Sequence, residues 1–163
     1  MKIIKKILWA IGGLLILIQV YRPAGNSSSE PVENGIAKHF TVPADVDEML
    51  RISCYDCHSD NTVYPWYSHL QPIDWWLNQH ITDGKRHLNF DQFGTYKASR
   101  KFEKLKEIAE QVKEDEMPLT SYTLIHRYAI LSDDQKSRLY RWTDAMRDSM
   151  KLHYPMDSLQ QKK

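Results

Sequence analysis

The chain has 163 residues, enough for one domain with a hydrophobic core and too few for two of ordinary size. Its net charge is only +1, which excludes the polybasic footprint that nucleic-acid binding requires. Taking Lys2, Lys5 and Lys6 from the 22 basic residues leaves 19 against 21 acidic ones, so charge names no partner for the remainder.

The chain opens on a basic head, Met1 to Lys6, followed by an uncharged and mostly apolar run from Ile7 to Tyr21. Two readings compete here: a signal peptide removed after export, or a retained anchor. Fifteen residues of helix reach roughly 22 Å, short of the roughly 30 Å hydrocarbon core. Adding Ile3 and Ile4, with Lys5 and Lys6 snorkelling to the headgroups, closes most of that gap. A cleavable signal wants small residues in an A-x-A-like pattern, and Arg22-Pro23-Ala24 breaks it. Residues 1–21 are therefore read as an N-terminal membrane anchor or uncleaved signal. The positive-inside rule keeps the lysines in the cytoplasm and puts everything after Tyr21 outside. Residues 22–41, with the polar stretch Asn26 to Pro31, read as an extended and mobile linker.

The folded domain is expected over residues 42–154, with a polar tail at 155–163. Pro43 suits the first turn of a helix, and Val46, Met49, Leu50 and Ser53 follow at helical spacing, leading directly into Cys54. Pro72 opens a second helix, with Ile73, Trp76, Leu77, His80 and Ile81 on one face and Gly84 near its end. A third spans about Ser99 to Glu114, its stripe formed by Phe102, Leu105, Ile108, Ala109 and Val112. Ser132-Asp133-Asp134-Gln135 is a capping-box start for a last helix edged by Leu139, Trp142, Met146 and Met150. No segment alternates convincingly as a strand does. The fold class is all-α.

The chain has two cysteines, Cys54 and Cys57, and a disulfide over so short a loop would add little closure entropy. With His58 they form Cys54-Tyr55-Asp56-Cys57-His58, the C-x-x-C-H signature of c-type haem attachment. Two thiols that add to the two vinyl groups of one porphyrin must lie about one helical turn apart. The adjacent histidine then falls under the ring and offers its imidazole to the iron. A thioredoxin-like C-x-x-C needs a βαβ setting, which the sequence lacks. A structural zinc needs four ligands, for which the two cysteines would need His58 and one further histidine.

Met117-Pro118 supplies the leading sixth ligand. The proline disfavours helix at residue 117 and leaves the thioether on a constrained loop, 59 residues beyond His58. The alternative is a methionine filling a gap in the core. His80, on the apolar face of the second helix, and His126, just past the Met117 loop, remain open as ligands or as hydrogen-bonded structural histidines. His39, His69, His87 and His153 read as surface or loop groups. Tyr64-Pro65-Trp66-Tyr67 reads either as an aromatic wall of the haem pocket or as core packing, and both versions bury the rings.

These residues, taken together, resemble the bacterial family of small cytochrome c-like haem-binding-domain proteins. The resemblance runs from about Val42 to Met146, with Val20-Tyr21-Arg22-Pro23 also similar to that family's N-terminus. It is carried by Ser53 to Ser59, Thr62 to Ser68, Gly84 to Phe90, Glu116-Met117-Pro118 and Tyr122 to His126. The tyrosine–proline–tryptophan and leucine–asparagine–phenylalanine stretches are the more specific markers. The resemblance implies a cytochrome c-like helical haem domain behind a single N-terminal membrane helix. It implies covalent haem on Cys54 and Cys57, His58 as proximal ligand and Met117 as distal ligand.

Three function classes follow. The first is a single-haem electron carrier, not a catalyst, at the periplasmic face of the cytoplasmic membrane. His58 and Met117 would saturate its iron, and the tether would raise the local concentration of unidentified redox partner proteins. One attachment motif and no recognisable catalytic constellation motivate it. The second is a haem enzyme or a gas or peroxide sensor with an open distal site, where His80, His126 or Arg127 acts as acid or base. The third is a haem-bearing assembly module that docks to another membrane complex.

Overall fold

The computed structural model describes residues 1–160. Helices and connecting loops make up this part of the chain, with no strand among the described residues. The first helix, α1 (Lys2–Leu17), continues through a 3₁₀ turn, Ile18–Val20. Together they form a largely apolar run of 19 residues, long enough to cross a membrane, and none of its residues is buried.

The domain follows. A short α2 (Ile36–His39) precedes α3 (Ala44–Ser53), α4 (Tyr55–His58) and α5 (Ile73–His87). Next come α6 (Ala98–Lys113), α7 (Thr120–Thr123), α8 (Asp133–His153) and α9 (Met156–Leu159). The helix expected after Pro43 is α3, and it buries Val46, Met49, Leu50 and Ser53. Asp45 and Asp47 in its first turn and Arg51 in its last complement the helix dipole. The third expected helix is α6, burying Phe102, Leu105, Ile108 and Val112, while Ala109 stays at the margin. Ser132 and Gln135 close a reciprocal capping box at the start of α8. Leu139, Trp142 and Met150 of α8 are buried, and Met146 packs at the edge of the core. Helices α6 and α8 form the most extensive pairing. Full burial of a side chain such as Leu105, 0% exposed, contributes roughly 1.5–3 kcal/mol.

Three expectations differ from what is observed. The stretch 22–41, read as a mobile linker, is packed on the domain. Asn26 donates from Nδ2 to the Ser59 carbonyl (2.9 Å) and to Thr62 Oγ1 (2.9 Å), and its Oδ1 accepts from Lys85 Nζ (2.6 Å). Ile36 is 1% exposed, and Phe40 meets Phe93 edge-on, ring centroids 5.8 Å apart. These are single anchoring residues separated by polar ones, so no periodicity marks them in the sequence.

The tail expected at 155–163 carries α9, whose Leu159 is 2% exposed and joins the core beside α6; residues 161–163 of that expectation lie outside the described residues. Finally, α5 does begin after Pro72, but it runs past Gly84 to His87, and of its expected apolar face only Ile81 is buried.

Candidate functional site

The C-x-x-C-H segment is a backbone turn before it is a set of ligands. At Cys54, φ −129° and ψ −40°, α3 stops and the single turn α4 begins. The Cys54 carbonyl accepts from the Cys57 amide (3.2 Å) and the His58 amide (3.0 Å). Asp56 clamps this turn to its surroundings: Oδ1 accepts from the Val63 amide (3.0 Å) and Oδ2 from the Tyr122 hydroxyl (2.7 Å). Tyr55 stacks on Phe90 at 5.1 Å. On another side α5 comes so close that a Cβ at Gly84 would sit 2.6 Å from the Cys57 carbonyl oxygen. Gly84 therefore lets the helix touch the turn.

His58 is held by Leu88, the first residue after α5. Its Nδ1 lies 2.9 Å from the Leu88 carbonyl oxygen. A carbonyl only accepts, so Nδ1 carries the proton and Nε2 keeps the lone pair. Burial pushes the His58 pKa below its usual range, and the bond to Leu88 only partly offsets this. The result is a neutral imidazole in the ligand-competent tautomer, with its second nitrogen bonded to a backbone carbonyl as metal-binding histidines commonly are.

Met117 is positioned by the end of α6. Asp115 takes a left-handed conformation, φ 59°, and reverses the chain. The Gln111 carbonyl then accepts from both the Glu116 amide (2.9 Å) and the Met117 amide (3.1 Å). This ties the methionine to the helix terminus while its side chain packs at the edge of the core.

Cys54, Cys57, His58 and Met117 all line one cavity of about 510 Å³. Its walls are the Ser53–His58 turn, the α5 positions His80, Asp83, Gly84 and His87, the inner side of α6, the Met117–Leu119 loop and Tyr122. Ile108, Val112, Leu88, Phe90 and Leu119 make much of that wall apolar, and Lys104 paired with Glu107 adds charge. Burial pushes the Cys54 thiol up to about 12, helped by the neighbouring Cys57, and the Cys57 thiol up to about 11, helped by Asp56. Both therefore stand as neutral S–H groups.

The two alternative histidines separate. His126, 9% exposed, is not part of the cavity wall. Its Nε2 is 2.7 Å from the Tyr67 hydroxyl and its Nδ1 2.6 Å from the Tyr128 hydroxyl, so both ring nitrogens are engaged. His80 does line the cavity, its ring tilted against Trp76 with centroids 4.2 Å apart and Nδ1 2.8 Å from the Trp76 carbonyl oxygen. His87, expected at the surface, is exposed and also borders the cavity. The Tyr64–Tyr67 segment forms neither a pocket wall nor core. Trp66 is 79% exposed, Tyr67 serves His126, and the Tyr64 hydroxyl accepts from the Asn26 amide (2.7 Å). The zinc alternative lacks its ligand cluster, because among the described residues no three His, Cys, Asp or Glu side chains are placed to share a metal ion.

Two thiols one turn apart, a neutral imidazole with a free Nε2 and a thioether, in a cavity of the size that holds cofactors, fit a haem. Haem iron takes imidazole and thioether axial ligands. A family model described as a haem-binding domain matches residues 13–145. The chain belongs to that family and is a haem-binding protein. No curated protein and no solved structure matches it.

Proposed function

We propose that the protein is a single-haem c-type electron carrier on the outer face of the cytoplasmic membrane. The observation that carries this reading is the convergence of Cys54, Cys57, His58 and Met117 on one cavity. In this reading the Cys54 and Cys57 thiols would hold the haem covalently, as thioethers formed by redox-neutral addition to its two vinyl groups. His58 would offer Nε2 to the iron, with Leu88 holding its other ring nitrogen, and Met117 would offer its sulfur. The haem, when bound, supplies one-electron iron chemistry whose potential a thioether raises relative to a second histidine. The remaining wall residues exclude water and keep the ligands in place. The run Lys2–Val20 spans the membrane, with its Lys2, Lys5 and Lys6 end at the cytoplasmic face.

A second reading, a haem enzyme or sensor, draws support from His80, Asp83 and His87 on the same cavity wall, where an acid or base is needed.

The two are tested on protein matured with the haem-attachment machinery. The carrier reading expects a pigment that resists extraction into acidified organic solvent. It also expects a methionine–iron charge-transfer band in the ferric form that Met117→Ala abolishes. A pigment that extracts would end the covalent assignment. A missing band, with rapid carbon monoxide binding by the reduced protein, would favour the enzyme or sensor.

A further inference from the structure

Away from the cavity, one apolar surface is left without a partner in the fold. Trp66 is 79% exposed, Trp76 49%, Leu70 47% and Ile73 39%. All four fall between the 3₁₀ turn Trp66–His69 and the second turn of α5. Scattered apolar residues are ordinary on a surface, but four exposed ones within eleven residues of chain, two of them tryptophans, are a concentration that marks a contact surface.

What covers it follows from where the N-terminal run ends. Gln19 donates from Nε2 to the Gln71 carbonyl (3.1 Å) and accepts from the Gln71 amide at Oε1 (3.0 Å). The Tyr21 carbonyl accepts from Gln71 Nε2 (3.0 Å) and from Trp75 Nε1 (3.0 Å), and the Tyr21 and Trp75 rings lie 6.2 Å apart. Gln71, 5% exposed, is thereby fixed at the level of the last turn of the apolar run. When that run spans a bilayer, its last turn marks the boundary between hydrocarbon and headgroups. Leu70, Ile73 and Trp76 sit one to five residues from Gln71, within about 8 Å along a helix. The headgroup layer on each side is itself about 5–8 Å deep. Tryptophan and tyrosine concentrate at that depth, because their rings are apolar and their N–H or O–H groups seek water.

We propose that Trp66, Leu70, Ile73 and Trp76 form a lipid-docking face, embedded in the headgroup layer of the same bilayer that α1 crosses. The inference rests on the reading of α1 as a membrane span. It adds that the haem domain lies on the membrane and is not suspended from it.

The test uses full-length, haem-loaded protein in protein-free vesicles of phosphatidylethanolamine and phosphatidylglycerol. Nitroxide labels are placed singly at Trp66→Cys and Trp76→Cys, with references at Leu14→Cys in α1 and at Asp144→Cys on α8, whose side chain is 68% exposed. The readout is collision with oxygen, which partitions into lipid, relative to collision with a water-soluble nickel chelate. Docking predicts an oxygen-to-nickel ratio at both tryptophan positions several-fold above that at Asp144 and below that at Leu14. If the labels at 66 and 76 match Asp144 while Leu14 reports lipid, the docking face is refuted and the anchor stands. If Leu14 also reports water, the anchor fails and the docking face with it. Trp66 is the safer position, because so exposed a side chain leaves the core undisturbed when replaced. A ratio at 66 equal to that at Asp144 overturns the proposal whatever position 76 shows.

Discussion

Gly84 is the residue on which the geometry of the site turns most sharply. A methyl group there would meet the Cys57 carbonyl oxygen at 2.6 Å and its carbonyl carbon at 3.2 Å, and backbone cannot swing aside as a flexible side chain can. Gly84→Ala should therefore push α5 off the C-x-x-C-H turn and cost about 1–3 kcal/mol, as overpacking does. Urea denaturation would measure the cost, and, if the haem is covalently attached as proposed, haem staining after denaturing electrophoresis would show less pigment. Tyr122→Phe is a gentler probe. It leaves Asp56 Oδ2 without the donor now at 2.7 Å, and a hydrogen bond to a carboxylate is worth about 1.5–3 kcal/mol. Because Tyr122 is only half-buried, water would replace part of that, so a loss near the low end is expected in the same denaturation experiment. Neither contact is written locally in the sequence. Asp56 is one of the two variable positions of the motif, and its partner lies 66 residues away. Gly84 looked like a helix terminator because glycine usually marks one, whereas here it serves close approach. By contrast, the C-x-x-C-H motif and the Met117-Pro118 pair stand out by residue type and spacing alone, and the fold brings Cys54, Cys57, His58 and Met117 to one cavity.

Helices with a strong period or a capping signal were legible as elements. The start of α3 after Pro43, the buried stripe of α6 and the capping box of α8 all follow from local patterns that the packing does not override. Ser132→Ala should remove one side of that box and cost about 1 kcal/mol, measurable as a lowered denaturation midpoint with the haem spectrum unchanged. Elements held by one residue were not legible. The four-residue α9 contributes a single apolar side chain, Leu159, to the core, and no window-based pattern detects one leucine in a polar tail. Leu159→Ala should cost about 2–5 kcal/mol if the neighbouring helices fail to close on the cavity, read by the same denaturation. Asn26 is a comparable case in the segment before α2, where one amide side chain bridges Ser59, Thr62 and Lys85.

For the molecule as a whole, topology and adhesion make separate predictions. If the apolar run Lys2–Val20 is retained as an anchor, the protein should stay with membranes through high salt and alkaline carbonate and leave only with detergent. If the lysine-rich end is cytoplasmic, protease added to intact spheroplasts should degrade the haem domain, as followed by loss of the haem-staining band. Digestion only after lysis would reverse the orientation.

The paired amides of Gln19 and Gln71 bear on how such a protein meets another. A domain on a slack leader sweeps a hemisphere and finds its target by swinging. With the leader's root clamped to the start of α5, that freedom is gone. If the apolar run spans a bilayer, encounter with a membrane partner becomes a two-dimensional search, governed by drift and spin in the plane of the lipid sheet. Inserting residues between Tyr21 and Asn26, a loop closed by the clamp at one end and by the Asn26 contacts at the other, should leave the encounter rate unchanged, whereas severing the clamp should make that rate depend on the inserted length.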